Sequence, residues 1–130
     1  MAQTTIIVLD ASVVLKWLVP EPESDAALRF RDAHAAGDEH IVAPTLLLYE
    51  VANVLRYQRT LPTAETSELL RILQGLALSI VHLDPADFGV VVQYAREKNI
   101  SVYDAAYVTL ARTLSCTLVT ADKRLVSRIN

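Results

Sequence analysis

The chain is poor in several residue types, and each shortage removes a class of protein. A single cysteine, Cys116, cannot make an internal disulfide, so a reducing compartment is expected. Aromatic residues reach only 6%, which argues against a base-stacking platform. The three histidines, His34, His40 and His82, lie on different predicted elements, without the His/Cys spacing of a zinc site. No stretch approaches the ~20 apolar residues that span a bilayer, and no basic segment followed by an apolar run opens the chain. A soluble, cytoplasmic protein with no membrane association is expected. Excess positive charge is also missing. The formal net charge is −3, so attraction to nucleic acid must come from local Lys/Arg clusters or from bound cations.

What is abundant is aliphatic. Of the 130 residues, 52% are hydrophobic, enough for one domain, 1–130, to bury its core without disulfides or a structural metal. Thr5-Ile6-Ile7-Val8-Leu9 reads as a buried parallel strand. Further strands are predicted at 40–43, 79–83 and 117–120. Helical patterns fill the intervals, and Pro20 and Pro22 end the first of them. Pro44 is placed in the first turn of a helix running to about Arg59. Asp84-Pro85 caps and starts another, and a short helix from Asp122 closes the chain. Four strands and about seven helices, with strands separated by one or two helices, imply right-handed crossovers. The expected fold is α/β, a three-layer α/β/α arrangement around a mainly parallel sheet.

The chemistry-bearing pattern is acidic. Asp10 closes the first strand, Asp104 opens a helix in Ser101-Val102-Tyr103-Asp104, and Asp122 follows Leu118-Val119-Thr120-Ala121. Each also suits an N-cap. Glu50 lies in the apolar helix Leu46-Leu47-Leu48-Tyr49-Glu50-Val51-Ala52, where a charge calls for a partner or an exposed stripe. Ligands in open α/β sheets bind beyond the carboxyl ends of the strands, and these acids are expected on that rim. Two carboxylates ~4 Å apart repel by about 4 kcal/mol at an effective dielectric near 20, so such a group either shifts its pKa values or holds a cation. Oxygen-only ligands favour Mg²⁺ or Mn²⁺. Ser12, Asn53 and Thr120 stand near the acids in sequence and are expected to orient carboxylates or a bound water, although Ser12 and Thr120 equally suit backbone caps.

Four blocks, Val8-Leu9-Asp10-Ala11-Ser12, Glu50-Val51-Ala52-Asn53-Val54-Leu55, Tyr103-Asp104-Ala105-Ala106-Tyr107 and Leu118-Val119-Thr120-Ala121-Asp122, occur in the order and separation of a known family. The chain resembles the PIN-domain ribonucleases, and among them the single-domain toxins of VapBC-type toxin–antitoxin pairs. The resemblance implies a PIN-like sheet of four to five strands and a Mg²⁺- or Mn²⁺-dependent endoribonuclease with Asp10, Glu50, Asp104 and Asp122 as its acidic quartet. It also implies a homodimer and a cognate antitoxin whose tail occupies the active-site groove. Two departures concern the sheet edge: little chain follows Asp122 for a final small strand, and Ser115-Cys116 stands where a glycine often occurs.

In this reading Asp10 and Asp104 ligate the principal cation, and Glu50 and Asp122 complete the site or hold a second ion. Lys16, Arg56, Arg59, Lys123 and Arg124 are candidate RNA contacts. Trp17, Leu18, Val19 and Tyr57 form either core or a surface for a twin subunit or antitoxin. Three rivals differ. A phosphatase using Asp10 as nucleophile lacks a second Asp at Ser12. A receiver-like module would use Asp84 as phospho-acceptor, and a PIN-like binding module would not cut.

Overall fold

The computed structural model describes residues 3–130. Its elements run β1 (Thr5–Leu9), α1 (Ala11–Leu18), α2 (Ser24–Ala36), β2 (Glu39–Pro44), α3 (Leu46–Arg56), α4 (Thr63–Gly75), β3 (Ser79–Val81), a 3₁₀ turn (Pro85–Asp87), α5 (Phe88–Lys98), α6 (Val102–Thr113), β4 (Thr117–Val119) and α7 (Lys123–Ile129).

The four strands form one parallel sheet in the order β3-β2-β1-β4. From β1 the chain moves outward through β2 to β3, then returns to place β4 on the other side of β1. Strand order therefore reverses between β1 and β4, and the crevice outside their carboxyl ends is where such sheets bind ligands. Ile7, Val8 and Leu9 are all buried, as are Ile41, Val42 and Ala43. Successive strand residues point to opposite faces, so both faces of the central strands are covered. Right-handed crossovers explain how: α1 to α4 connect strands progressing one way, and α5 and α6 connect strands progressing the other. The contacts agree, with α2 and α3 against β2, and α6 against β1, β2 and β4.

Two local readings change. Pro44 ends β2, paired with Val81, and does not start α3; a proline is tolerated at a strand's end, where the missing N–H breaks no interior ladder bond. Asp104 does not open α6. Ser101 is the N-cap, and its Oγ accepts from the Asp104 backbone N–H at 3.0 Å. That frees the Asp104 side chain from the cap and sets it in the first turn.

Trp17, Leu18 and Val19 belong to the core: Leu18 is buried, Trp17 and Val19 pack against the same cluster, and Trp17 Nε1 donates to the Ala27 carbonyl at 2.8 Å. Tyr57 of that group stays exposed, and further apolar surface lies on Leu48, Tyr49, Ile80, Phe88, Val102 and Tyr103. Among the described residues no helix is long and apolar enough to cross a membrane.

Candidate active site

Asp10 is a buried polar residue just past β1, only 6% exposed. It follows β1, caps α1 through the Ser12 N–H (3.1 Å) and is held by two hydroxyls: Ser12 Oγ donates to Oδ1 and Thr120 Oγ1 to Oδ2, each at 2.5 Å. Ser12 Oγ in turn accepts from the Ala121 N–H at 2.9 Å, and Thr120 Oγ1 from the Asp122 N–H at 3.0 Å. The ends of β1 and β4 are thus laced together around one carboxylate. Asp10 therefore caps α1 while its carboxylate stands at the carboxyl end of β1. Burial pushes its carboxyl above the ordinary value, against the opposing hydrogen bonds from Ser12 and Thr120.

Asp122 lies just beyond β4. Its Oδ1 accepts from the Arg124 and Leu125 N–H groups at 3.0 and 3.2 Å, which caps α7. Glu50 is half-buried one turn into α3. Tyr107 donates its hydroxyl to Glu50 Oε1 at 2.6 Å. Burial raises the Glu50 carboxyl, and the charges of Asp104 and Asp10 raise it further. Asp104 is raised by burial and by Asp122, with partial relief from Ser101 and Arg124. These couplings form a chain, Asp10 to Glu50 to Asp104 to Asp122, in which every link is repulsive. Asp104 and Asp122 line one cavity, and Asp10 and Asp122 stand just past the adjacent strands β1 and β4.

The donor set is all carboxylate and hydroxyl, with no histidine or thiol in it, which fits a hard divalent ion and not zinc. Among the described residues no group of three or more acidic, His or Cys side chains is gathered tightly enough to hold a metal by itself. Mg²⁺ keeps several waters and is usually bound by one or two carboxylates together with substrate phosphates, so it does not require such a group.

Other predicted residues divide. Ser12 and Thr120 sit where expected. Asn53 does not: its side chain is exposed and, among the described residues, makes no hydrogen bond to Glu50. Tyr107 fills that role from another helix. Lys16 is not a free cation, because its ammonium bonds the Pro22 carbonyl at 2.8 Å and pairs with Glu21 at 3.4 Å, tying the proline turn to α1. Arg56 stacks on the Tyr57 ring, 4.5 Å from its centroid, about 9 Å along α3 from Glu50 by helical rise. Arg59 is exposed beyond it. Lys123 and Arg124 open α7 beside Asp122. Arg124 lines a cavity of about 340 Å³ with Asp104 and Asp122.

Sequence reasoning missed two groups. Tyr107 lies 57 positions from Glu50, and only its place one turn after Asp104 on α6 hinted at a shared face. Arg128 lines the same cavity as Arg124, four residues farther along α7. His34 and His40 are structural. His34 Nδ1 accepts from the Ile41 N–H at 3.1 Å while Nε2 meets the Leu76 carbonyl at 2.8 Å, and His40 meets Ser79. Asp84, the receiver-like alternative, follows edge strand β3 and caps the 3₁₀ turn through the Ala86 N–H. Two strand spacings, roughly 10 Å, separate β3 from the Asp10 strand.

The parallel sheet, with Asp10 and Asp122 just outside the carboxyl ends of β1 and β4 at the point of reversal, defines an α/β protein whose candidate site lies on that rim. Residues 7–129 match the PIN domain family, and the chain belongs to that family. It is similar to Ribonuclease VapC9 of Mycobacterium tuberculosis, 34% identical over 127 residues that span 92% of this chain and 88% of that protein. Solved structures share the fold. VapC20 of Mycobacterium tuberculosis, a Sarcin-Ricin loop cleaving toxin, superposes with a TM-score of 0.73 at 13% identity, covering 93% of each chain. VapBC2 of Rickettsia felis, bound to a DNA fragment from its promoter, gives 0.71 at 16% identity over 95% of this chain and 92% of that one.

Proposed function

We propose that the protein is a Mg²⁺- or Mn²⁺-dependent endoribonuclease and the toxin of a toxin–antitoxin pair. The observation that carries this reading is the placing of four acids about the reversal between β1 and β4: Asp10 and Asp122 just past those strands, Glu50 one turn into α3 and bonded by Tyr107, and Asp104 in the first turn of α6, lining one cavity with Asp122. Membership of the PIN family and similarity to a VapC ribonuclease support it.

Asp10 and Asp104 would hold the principal cation, with Glu50 and Asp122 completing the site. When bound, such an ion supplies charge neutralisation at the phosphoryl oxygens and a more acidic water. The chain's own residues prepare the place. Ser12 and Thr120 fix both oxygens of Asp10, so the most buried ligand needs no reorganisation. Tyr107 holds Glu50 toward the other acids and, with its own pKa raised by burial and by Glu50, stays a donor at physiological pH.

The partner expected is a cognate antitoxin, a reading supported by the likeness to the VapBC2 structure. A second copy of the chain is the occupant proposed for the apolar face around Tyr49, which is 72% exposed. Tyr49 borders two clefts of about 570 and 420 Å³. Light scattering over a concentration series tests the dimer, and a monomer throughout removes it.

The direct test is incubation of the purified protein with mixed RNAs in Mg²⁺, in Mn²⁺ and in chelator. Cleavage with either ion that disappears in chelator and in Asp10→Asn supports the reading. Cleavage that survives both overturns it.

A further inference from the structure

Asp104 and Asp122 share their polar cavity of about 340 Å³ with Asn99, Ser101, Arg124 and Arg128. Arg124 and Arg128 are four residues apart on α7, so their side chains rise from one side of the helix. Arg128 Nη1 donates to the Asn99 carbonyl at 2.5 Å, at the left-handed residue (φ 53) between α5 and α6. That bond fixes one edge of the guanidinium, and its other donors remain for a second acceptor. Two carboxylates line the same cavity, yet neither arginine is within 4 Å of one among the ion pairs of the described residues. The fork is therefore held open instead of being closed on an aspartate.

Planar, permanently charged forks match phosphate oxygens. Two aspartates and two arginines leave the cavity near neutral. A divalent ion held by Asp10 and Asp104 at its border would make it positive, which favours an incoming phosphodiester. We propose that Arg124 and Arg128 form a subsite for the RNA backbone phosphate adjoining the scissile one, with Arg128, tied to Asn99, setting the distance from that phosphate to Asp104. This inference rests on the nuclease reading and gives the site a defined contact on the strand. Cation and strand then bind with positive coupling, each strengthening the other by the same factor.

The test uses a fluorescein-labelled 12-nucleotide oligouridylate. Binding is followed by anisotropy in chelator across a salt series, and cleavage is followed separately in Mg²⁺ and Mn²⁺. Arg124→Ala and Arg128→Ala are each expected to weaken binding about five- to tenfold and to flatten the slope of log affinity against log salt by about 0.7. Arg128→Lys keeps the charge and a donor for Asn99, so it retains the slope while losing affinity; together with Arg124→Ala it carries the test if Arg128→Ala fails to fold. Alanine variants with wild-type affinity and slope overturn the subsite, whatever the cleavage result. Normal arginine-dependent binding by a wild-type protein that cuts RNA in neither ion overturns the nuclease reading and leaves the phosphate contact standing.

Discussion

Tyr107 and Glu50 join α6 to α3 through a 2.6 Å hydrogen bond from the phenol to Oε1. Tyr107 is almost fully buried and lies one turn after Asp104 on α6, so this bond sets the spacing between the helices that carry two of the four acids. Tyr107→Phe keeps the ring's packing and removes the donor. Loss of a partner that orients a ligand typically costs ten- to a hundredfold in activity or metal affinity, and a fall in RNA cleavage of about tenfold is predicted. Loss of one hydrogen bond costs about 1 kcal/mol of stability. Cleavage rates and urea midpoints check both. Unchanged cleavage would show that Glu50 needs no positioning.

The upward displacement of the acids has a defined consequence for stability. An acid whose pKa is higher in the folded state than in the unfolded one holds its proton more tightly when folded. Stability therefore falls as pH rises from the unfolded value through the folded one. Glu50, Asp10 and Asp104 are all displaced upward from ordinary values of 4.5, 3.8 and 3.8. Glu50→Gln keeps an acceptor for Tyr107 and removes the charge. At pH 7 without metal it is predicted to melt roughly 2–4 °C above wild type, the two converging below about pH 4, while cleavage is lost. A variant less stable than wild type at pH 7 would contradict the repulsion.

Ser12 and Thr120 lace β1 to β4 through Asp10. Ser12→Ala strips one donor from a buried carboxylate and leaves the Ala121 N–H unpaired. Its predicted cost is about 1–3 kcal/mol in stability together with a tenfold or greater loss of cleavage. Thr120→Val should behave alike. Chemical denaturation and cleavage assays on both proteins check this. Cleavage at the wild-type rate would reduce the hydroxyls to capping groups.

His34 provides a contrast, because it bridges the Ile41 N–H and the Leu76 carbonyl away from the acids. His34→Ala is predicted to destabilise by about 1–3 kcal/mol while cleavage per folded molecule stays unchanged below the melting transition. Loss of cleavage without loss of stability would assign His34 a part in the chemistry.

The elements that sequence made legible are those governed by local rules. β1 and Asp10 are readable because a β-branched apolar run ending in an acid has few other uses in an α/β chain, and α7 because Asp122 caps it in the ordinary way. Pro44 misled because proline suits a helix's first turn as well as a strand's last residue, and only pairing with Val81 decides. Ser101 was overshadowed by Asp104, since either side chain can cap. Ser115, where a glycine often occurs in the family it resembles, adopts φ 52, so the left-handed turn after α6 is kept without the glycine that would announce it. Lys16, Asn53, Tyr107 and Arg128 lay beyond sequence for one reason. What each side chain touches is set by long-range packing or by a turn's carbonyl, neither of which leaves a periodic trace.

The central claim is that Asp10, Glu50, Asp104 and Asp122 converge on a divalent cation, and Mn²⁺ binding followed by electron paramagnetic resonance tests it most directly. Wild type is predicted to bind Mn²⁺, with Mg²⁺ competing, and Asp10→Asn and Asp104→Asn to bind it at least ~tenfold more weakly. Wild-type protein that binds no Mn²⁺, or variants that bind it as well as wild type does, would contradict the account.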